Sequence, residues 1–139
     1  PIDIKIDSYP GAFGQIITGL ILNSIEHGYS KEKKGIITLS LKKEHENIII
    51  HYVDDGKGIE ANDLPHIFEP FFTTNRGVGN VGLGLHILYN IMRKQFDGYI
   101  SCESIPNKGV NFKITIPIEW IVGLRYVKTP YALTEYRWA

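Results

Sequence analysis

Residues 68–85 read FEPFFTTNRGVGNVGLGL, in which three phenylalanines are followed by a glycine-rich run that leads into a helical pattern. Glycines just before the amino end of a helix expose backbone N–H groups that can bind phosphate, and the helix dipole favours an anion there. Residues 69–81 show no sustained hydrophobic period, and long loops of this kind are usually functional in compact domains. We predict a lid over a phosphate site, anchored by the phenylalanines and movable at the glycines.

The hydrophobic pattern of the remaining chain predicts the order strand, helix, two strands, loop, helix, two strands. The predicted strands are residues 2–6, 36–41, 48–53, 99–104 and 110–116, and the predicted helices are residues 12–27, a short turn at 64–68, and 83–95. Ile25 and Ile87 are predicted to face the core, and residues 42–47 to form a hairpin connection. This order predicts an α/β fold in which a mixed sheet of about five strands packs against about three helices.

Composition fits one ordinary domain, since the 139 residues are 43% hydrophobic and 22% charged. Fifteen basic residues balance fifteen acidic ones, so no broad field attracts nucleic acid or an anionic membrane surface. No run of eighteen apolar residues occurs, and we expect this chain not to insert into a membrane and to be cytoplasmic, even if the full-length protein is membrane-anchored. Residues 1–118 are predicted to form the domain, and residues 119–139 an aromatic tail of unknown role that packs somewhere.

A polar side chain interrupts the apolar face of the first predicted helix. Asn23 lies three residues after Leu20, and His27 follows one turn later. Taken alone, an asparagine hydrogen-bonded to backbone is the commoner explanation. The alternative is an oxygen ligand for Mg²⁺, which takes one or two protein oxygens and completes its shell with water and phosphates.

Residues 54–59, DDGKGI, directly follow a predicted strand. Aspartate and glycine after a strand indicate first of all a turn. A carboxylate fixed at a strand end can also accept a hydrogen bond from the exocyclic amine of adenine, while glycines let the base approach the backbone. Both interpretations stay open on this motif alone.

Two other nucleotide motifs fit less well. Residues 77–82, GVGNVG, match the dinucleotide fingerprint, and Glu103 lies at roughly the distance expected of a ribose-binding acid. The fingerprint should follow a buried strand immediately, but the preceding residues are polar and Pro70 interrupts the run before them. A P-loop is excluded because Leu83, and not lysine, follows Gly82.

Taken in order, these segments resemble the N, G1, F and G2 boxes of histidine kinases in the GHKL superfamily, over residues 2–117. The matching segments are residues 19–24, 54–58, 68–74 and 80–85. The resemblance implies a two-layer α/β sandwich of the GHKL (Bergerat) type that uses ATP and Mg²⁺. It also implies transfer of the γ-phosphoryl group to a histidine on a dimerisation domain that is missing from this chain, with a response regulator downstream.

The resemblance also implies a role for each matched residue. Asn23 would hold Mg²⁺ and, with His27, act near the phosphates, while Asp54 would bind the adenine amino group. The other implied nucleotide-binding residues are Gly56, Gly58, Phe68, Thr73, Thr74, Arg76, Gly82, Leu83, Gly84 and Leu85. The pair His45-Glu46 matches the acceptor type, but it falls in the predicted hairpin and is interpreted as a solvated turn.

Three residues depart from the family pattern. Gly19 replaces the first asparagine of the N box, and Asn80 and Val81 replace the glycine and the small hydroxyl residue of the G2 box. Family members that hydrolyse ATP efficiently carry a glutamate base at the position of Gly19, which argues against a water-activating ATPase, although Glu26 could substitute. Two alternatives stay open: an interaction module without turnover, and a nicotinamide-dependent oxidoreductase built on the glycine fingerprint.

Overall fold

The computed structural model describes residues 9–29, 34–74, 81–118 and 133–137. Helix α1 spans Pro10–Asn23 and continues as a π-helical turn, Ser24–Gly28, and a 3₁₀ turn spans Leu64–His66 before helix α2 at Gly84–Gln95. The strands are β1 Ile36–Glu44, β2 Asn47–Asp54, β3 Tyr99–Ser104, β4 Val110–Pro117 and β5 Leu133–Arg137. Helices and sheet share one hydrophobic core, so the predicted two-layer α/β fold is confirmed.

The sheet has the strand order β3-β4-β2-β1-β5. The prediction of a mixed sheet is wrong for the described strands, because every pairing among them is antiparallel. The physical reason is that β1 and β2, like β3 and β4, are joined by short turns, and only antiparallel strands can be connected so closely. The predicted strand at residues 2–6 lies outside the described residues.

The turn between β1 and β2 is shorter than predicted. Glu44 pairs with Asn47, which leaves only His45 and Glu46 between the strands. His45 adopts a left-handed φ of 51°, and both turn residues are exposed. His45-Glu46 is therefore a solvated turn, as predicted.

The core lies between the helices and one face of the sheet. Alternating residues of β4, from Val110 to Ile116, are buried, which is the period-two pattern of a strand with one face on a core. From the helices, the buried residues are Ile16 and Leu20 of α1 and Leu88, Ile91 and Met92 of α2.

Two of the predicted core residues face solvent instead. Ile25 is 48% exposed and Ile87 is 42% exposed. In the first helix the interior position is taken by Ser24, four residues after Leu20 and 1% exposed. In α2 the buried residues start at Leu88, so Ile87 lies beside the buried face of the helix and not on it.

Part of the predicted aromatic tail adds an edge strand to the sheet. Strand β5 pairs with β1 from Ser40 opposite Leu133 to Ile36 opposite Arg137. The division into residues 1–118 and 119–139 stays a prediction. Within the described ranges, no helix is both long and apolar enough to cross a membrane.

Candidate functional site

The end of the first helix widens at the site. After Asn23 the α-helix gives way to one π-helical turn, and the backbone N–H of Ser24 bonds to the carbonyls of both Ile21 and Leu20 at the changeover. Turns of this kind are rare and occur frequently at functional sites. Here the wider turn carries Glu26 and His27 beside Asn23.

A cavity of about 470 Å³ lies against this turn. Its volume is in the range of small-molecule sites. Three segments that are distant in sequence supply its walls. The lining residues are Gly19, Leu22, Asn23, Glu26, His27, Ile59, Ile67, Phe72, Thr73, Thr74, Val81, Gly82, Leu83, Gly84 and Leu85.

Eight of the predicted site residues are thus brought together at one cavity. They are Asn23, His27, Thr73, Thr74, Gly82, Leu83, Gly84 and Leu85. Arg76 lies outside the described residues. Leu22, Ile59 and Ile67 were not predicted as site residues, because an apolar residue that lines a cavity has the same sequence pattern as one that packs in a core.

The amino end of α2 opens onto this cavity. Within the described part of the chain, no side chain caps the helix at Leu83. The first N–H groups of a helix have no partner inside the helix, so they are available to an anion. A Cβ added at Gly84 would meet nothing within 4 Å, which leaves the helix end open.

Gly82 is required by the backbone just before that helix. It has φ of +73°, and a Cβ there would lie 2.6 Å from the carbonyl oxygen of Phe72. Only glycine adopts this conformation without strain while packing so closely. Gly82 therefore holds the start of α2 against the phenylalanine-rich segment.

Asp54 lies behind the cavity, at the end of β2. Its side chain is 3% exposed, and among the described residues three donors hold the carboxylate. Oδ1 accepts from the backbone N–H of Gly56 at 3.0 Å and of Val110 at 3.2 Å. Oδ2 accepts from the hydroxyl of Ser24 at 2.5 Å. Ser24 directly follows Asn23, which lines the cavity. The hydrogen bond from Ser24 therefore connects the carboxylate of Asp54 to the residue next to the cavity wall.

Gly56 and Gly58 are needed for the packing of the chain itself. A Cβ at Gly56 would lie 2.7 Å from the carbonyl oxygen of Gly28. Gly58 has φ of +72°, and a Cβ there would lie 2.4 Å from the carbonyl oxygen of Ile105. Neither these glycines nor Asp54 are among the described residues that line the cavity.

Phe68 anchors the phenylalanine-rich segment in the core. Its ring lies 5.7 Å from that of Tyr89 and meets Phe112 edge-on at 6.4 Å. It does not belong to the described cavity wall. The prediction that the three phenylalanines anchor this segment holds for Phe68 and Phe72, which pack against the core, but is wrong for Phe71, which is 68% exposed. Direct contact of Phe68 with a ligand stays a prediction.

His86 gives the same segment a second attachment, which sequence analysis missed. Its Nδ1 lies 3.0 Å from the carbonyl oxygen of Phe68, and its Nε2 lies 2.9 Å from Nδ2 of Asn90. A carbonyl only accepts and an amide nitrogen only donates, so in this arrangement Nδ1 donates to Phe68 and Nε2 accepts from Asn90. The spacing of His86 and Asn90, four apart on one helix face, was the available signal.

The polar groups at the cavity are few. His27 Nε2 lies 4.0 Å from Oε2 of Glu26, and the His27 side chain is 26% exposed. No cluster of three or more His, Cys, Asp or Glu side chains occurs in the described ranges. Asn23 and Glu26 line the cavity and have side-chain oxygens, and a cation here would complete its shell with ligand oxygens and water.

The antiparallel sheet is covered by two helices, and a cavity lies between an asparagine-bearing helix end and an uncapped helix start, a geometry that suits a phosphate-bearing ligand. Residues 9–119 match the family described as "Histidine kinase-, DNA gyrase B-, and HSP90-like ATPase", and the chain belongs to this family.

Two relatives of this chain are sensor kinases. Sensor histidine kinase ZraS of Salmonella typhi is 36% identical over 115 residues, which are 82% of this chain and 23% of that protein. Sensor kinase CckA of Brucella abortus (strain 2308) is 45% identical over an alignment 140 residues long, which covers 84% of this chain and 14% of that protein. The chain thus corresponds to a minor part of each relative's length.

The fold agrees with the sequence match. The catalytic domain of histidine kinase ThkA, solved in a nucleotide-free form, superimposes with a TM-score of 0.68 at 28% identity, covering 83% of this chain and 73% of that one. In sequence and fold, the chain corresponds to the catalytic domain of sensor histidine kinases.

Proposed function

We propose that this domain binds ATP together with Mg²⁺ and transfers the γ-phosphoryl group to a histidine on a separate dimerisation domain of the same kinase. A response regulator would then receive the signal. The observation that carries the proposal is the cavity in which Asn23 and His27 lie with the uncapped start of α2. The proposal places the domain in the cytoplasm, and the full-length protein is free to carry a membrane anchor elsewhere.

The phosphates would bind at the start of α2. Gly82, Leu83, Gly84 and Leu85 line the cavity at the start of α2, and a helix amino end favours an anion. Thr73 and Thr74 line the same cavity and would belong to the lid, with Arg76 as a further contact to phosphate charge. The Asn23 amide oxygen would hold Mg²⁺, which supplies charge neutralisation at the phosphates when bound.

The adenine would be recognised by Asp54. A buried carboxylate can accept a hydrogen bond from an exocyclic amine, and Asp54 is fixed by hydrogen bonds to two backbone N–H groups. Gly56 and Gly58 would shape this pocket by holding the chain after β2 in its tight path. Catalysis would consist mainly of positioning and charge neutralisation, as is general for phosphoryl transfer.

Calorimetric titration of the 139-residue chain with ATP and ADP, with and without Mg²⁺, tests this proposal. We expect Mg²⁺-dependent binding of ATP that Asn23→Ala weakens and Asp54→Asn abolishes. Asp97→Asn is the matched control, because Asp97 is an exposed turn residue. The absence of any adenine nucleotide binding by the wild-type chain would overturn the proposal.

Transfer of the γ-phosphoryl group is tested separately, by adding radiolabelled ATP and a dimerisation domain with an accessible histidine to the chain. Phosphorylation of that histidine supports the kinase proposal. ATP binding without transfer would favour the interaction module that keeps the fold but has lost turnover. Hydrolysis to water should be slow, because Gly19 cannot act as a base and a Cβ there would lie 2.9 Å from the Leu88 side chain.

A further inference from the structure

Three polar side chains form a buried network behind the cavity. Tyr52 and Ser24 are each 1% exposed, and Asp54 is 3% exposed. Ser24 Oγ lies 2.8 Å from the hydroxyl of Tyr52 and 2.5 Å from Oδ2 of Asp54. The family resemblance assigns a role to Asp54 alone, so the two hydroxyl groups need an explanation of their own.

The direction of each hydrogen bond follows from the groups involved. An ionised carboxylate only accepts, so the Ser24 hydroxyl donates to Asp54. Having used its proton, Ser24 can only accept from Tyr52, so the single Tyr52 proton is shared between Ser24 Oγ at 2.8 Å and the carbonyl oxygen of Leu20 at 3.2 Å. Burial raises the pKa of Tyr52 to about 12, so the phenol keeps its proton at neutral pH.

The network leaves Asp54 with little remaining capacity. Each carboxylate oxygen accepts about two hydrogen bonds. Oδ1 already receives two, from the N–H groups of Gly56 and Val110, whereas Oδ2 receives one, from Ser24. A carboxylate held at both oxygens cannot rotate freely, and the residues that the structure describes leave one acceptor position on Oδ2 unused.

We propose that Ser24, itself held by Tyr52, is a positioning residue that fixes the open acceptor position of Asp54 for the amino group of a 6-aminopurine nucleotide. This inference rests on the proposed function, in which Asp54 contacts adenine. In a base with a carbonyl oxygen in place of that amino group, the carbonyl oxygen and Oδ2 of Asp54 are both hydrogen-bond acceptors, so no hydrogen bond forms between them. A fixed carboxylate therefore disfavours such a base, and a carboxylate that can turn or take up water disfavours it less.

Base discrimination separates this role from a merely structural one. We would measure dissociation constants of the 139-residue chain for ATP and for inosine triphosphate, whose base carries oxygen at that position. Because a hydrogen bond to a charged group is worth more than one between neutral groups, we expect Ser24→Ala to weaken ATP binding about tenfold. Binding of inosine triphosphate should change by about twofold or less, so the preference for ATP falls.

Tyr52→Phe gives a graded second measurement. It removes the donor to Ser24 but leaves the bond from Ser24 to Asp54, and we expect a smaller loss of ATP preference in the same direction. Ser24→Thr keeps the hydroxyl and should restore part of the preference. Ile114→Val is the matched control for stability, because it trims a core residue that is 0% exposed and has no part in the network.

The outcomes divide clearly. A reduced ATP preference in Ser24→Ala and Tyr52→Phe, but not in Ile114→Val, supports the proposal, and Tyr52→Phe decides if Ser24→Ala does not fold. Wild-type preference in both variants, or equal losses for the two nucleotides, would overturn it. Failure of the proposed function looks different: the wild-type chain would bind no ATP, or Asp54→Asn would bind it normally.

Discussion

At the scale of single residues, Asp54 shows how much of a site can be predicted from the neighbouring sequence. Its place after a strand and before glycines indicated a carboxylate held at a strand end. Two of its three partners were not predictable, because Ser24 lies 30 residues earlier in the sequence and Val110 lies 56 residues later. Only the tertiary fold brings these donors to one carboxylate.

Cys102 provides a test of the charge on Asp54. Burial first, and the charge of Asp54 second, raise the pKa of the Cys102 thiol to about 12. The thiolate is the reactive form, so at pH 8 only about one thiol in ten thousand is reactive. We expect the native chain to react with a thiol reagent orders of magnitude more slowly than the urea-unfolded chain, measured by absorbance.

The variant Asp54→Asn removes the charge and should speed the reaction of the native protein, since the thiol pKa then falls. Glu103→Gln is the companion variant, because the charge of Glu103 is the third and smallest cause of the raised pKa of Cys102. Equal rates for native and unfolded wild-type chain would contradict this account of Cys102.

At the scale of elements, hydrophobic periodicity predicted the helices and strands well. Strand β3 has the predicted bounds, and the first helical segment ends at Gly28 as expected. The π-helical turn was not predictable, because one widened turn barely changes the spacing of apolar residues. Ile25 illustrates the consequence: its spacing from Ile21 fits a core face, yet the side chain faces solvent.

Gly82 controls the junction between the phenylalanine-rich segment and α2. We expect Gly82→Ala to destabilise the chain by about 1–3 kcal/mol, because alanine is strained at φ of +73° and its Cβ would meet the Phe72 carbonyl oxygen. Urea unfolding followed by circular dichroism measures this loss.

Gly14→Ala is the matched control. Gly14 lies within α1, where a Cβ would meet nothing within 4 Å, so we expect alanine to stabilise the chain by about 0.5–1 kcal/mol. A Gly82→Ala variant as stable as the wild type would show that the junction tolerates a side chain.

At the scale of the whole molecule, the sequence supported the two-layer architecture but not the complete sheet. Alternating patterns show which residues face a core, but they do not show which strands are neighbours or how they run. The mixed sheet was predicted for this reason, whereas the described strands pair only antiparallel. Similarly, the predicted cavity walls were polar residues, glycines, and the two leucines that stand beside those glycines, Leu83 and Leu85.

Strand β5 gives the sheet its outer edge beside β1. Truncation after residue 118 would leave the β1 edge without its partner. We expect amide hydrogen exchange in β1 to become faster by at least tenfold at positions that bond to β5, since unpaired edge groups open easily. Exchange in β3 and β4 at the opposite side of the sheet serves as the internal control, and unchanged exchange in β1 would contradict the pairing.

The central claim is that Mg²⁺-ATP binds between the end of the first helix and the start of α2. The most direct measurement is an amide NMR titration of the 139-residue chain with ATP in the presence of Mg²⁺. We predict the largest shifts at Asn23, at His27 and in residues 82–85, with a further group at residues 54–56. No saturable shifts, or shifts confined to the His45-Glu46 turn and the outer part of the sheet, would contradict the claim.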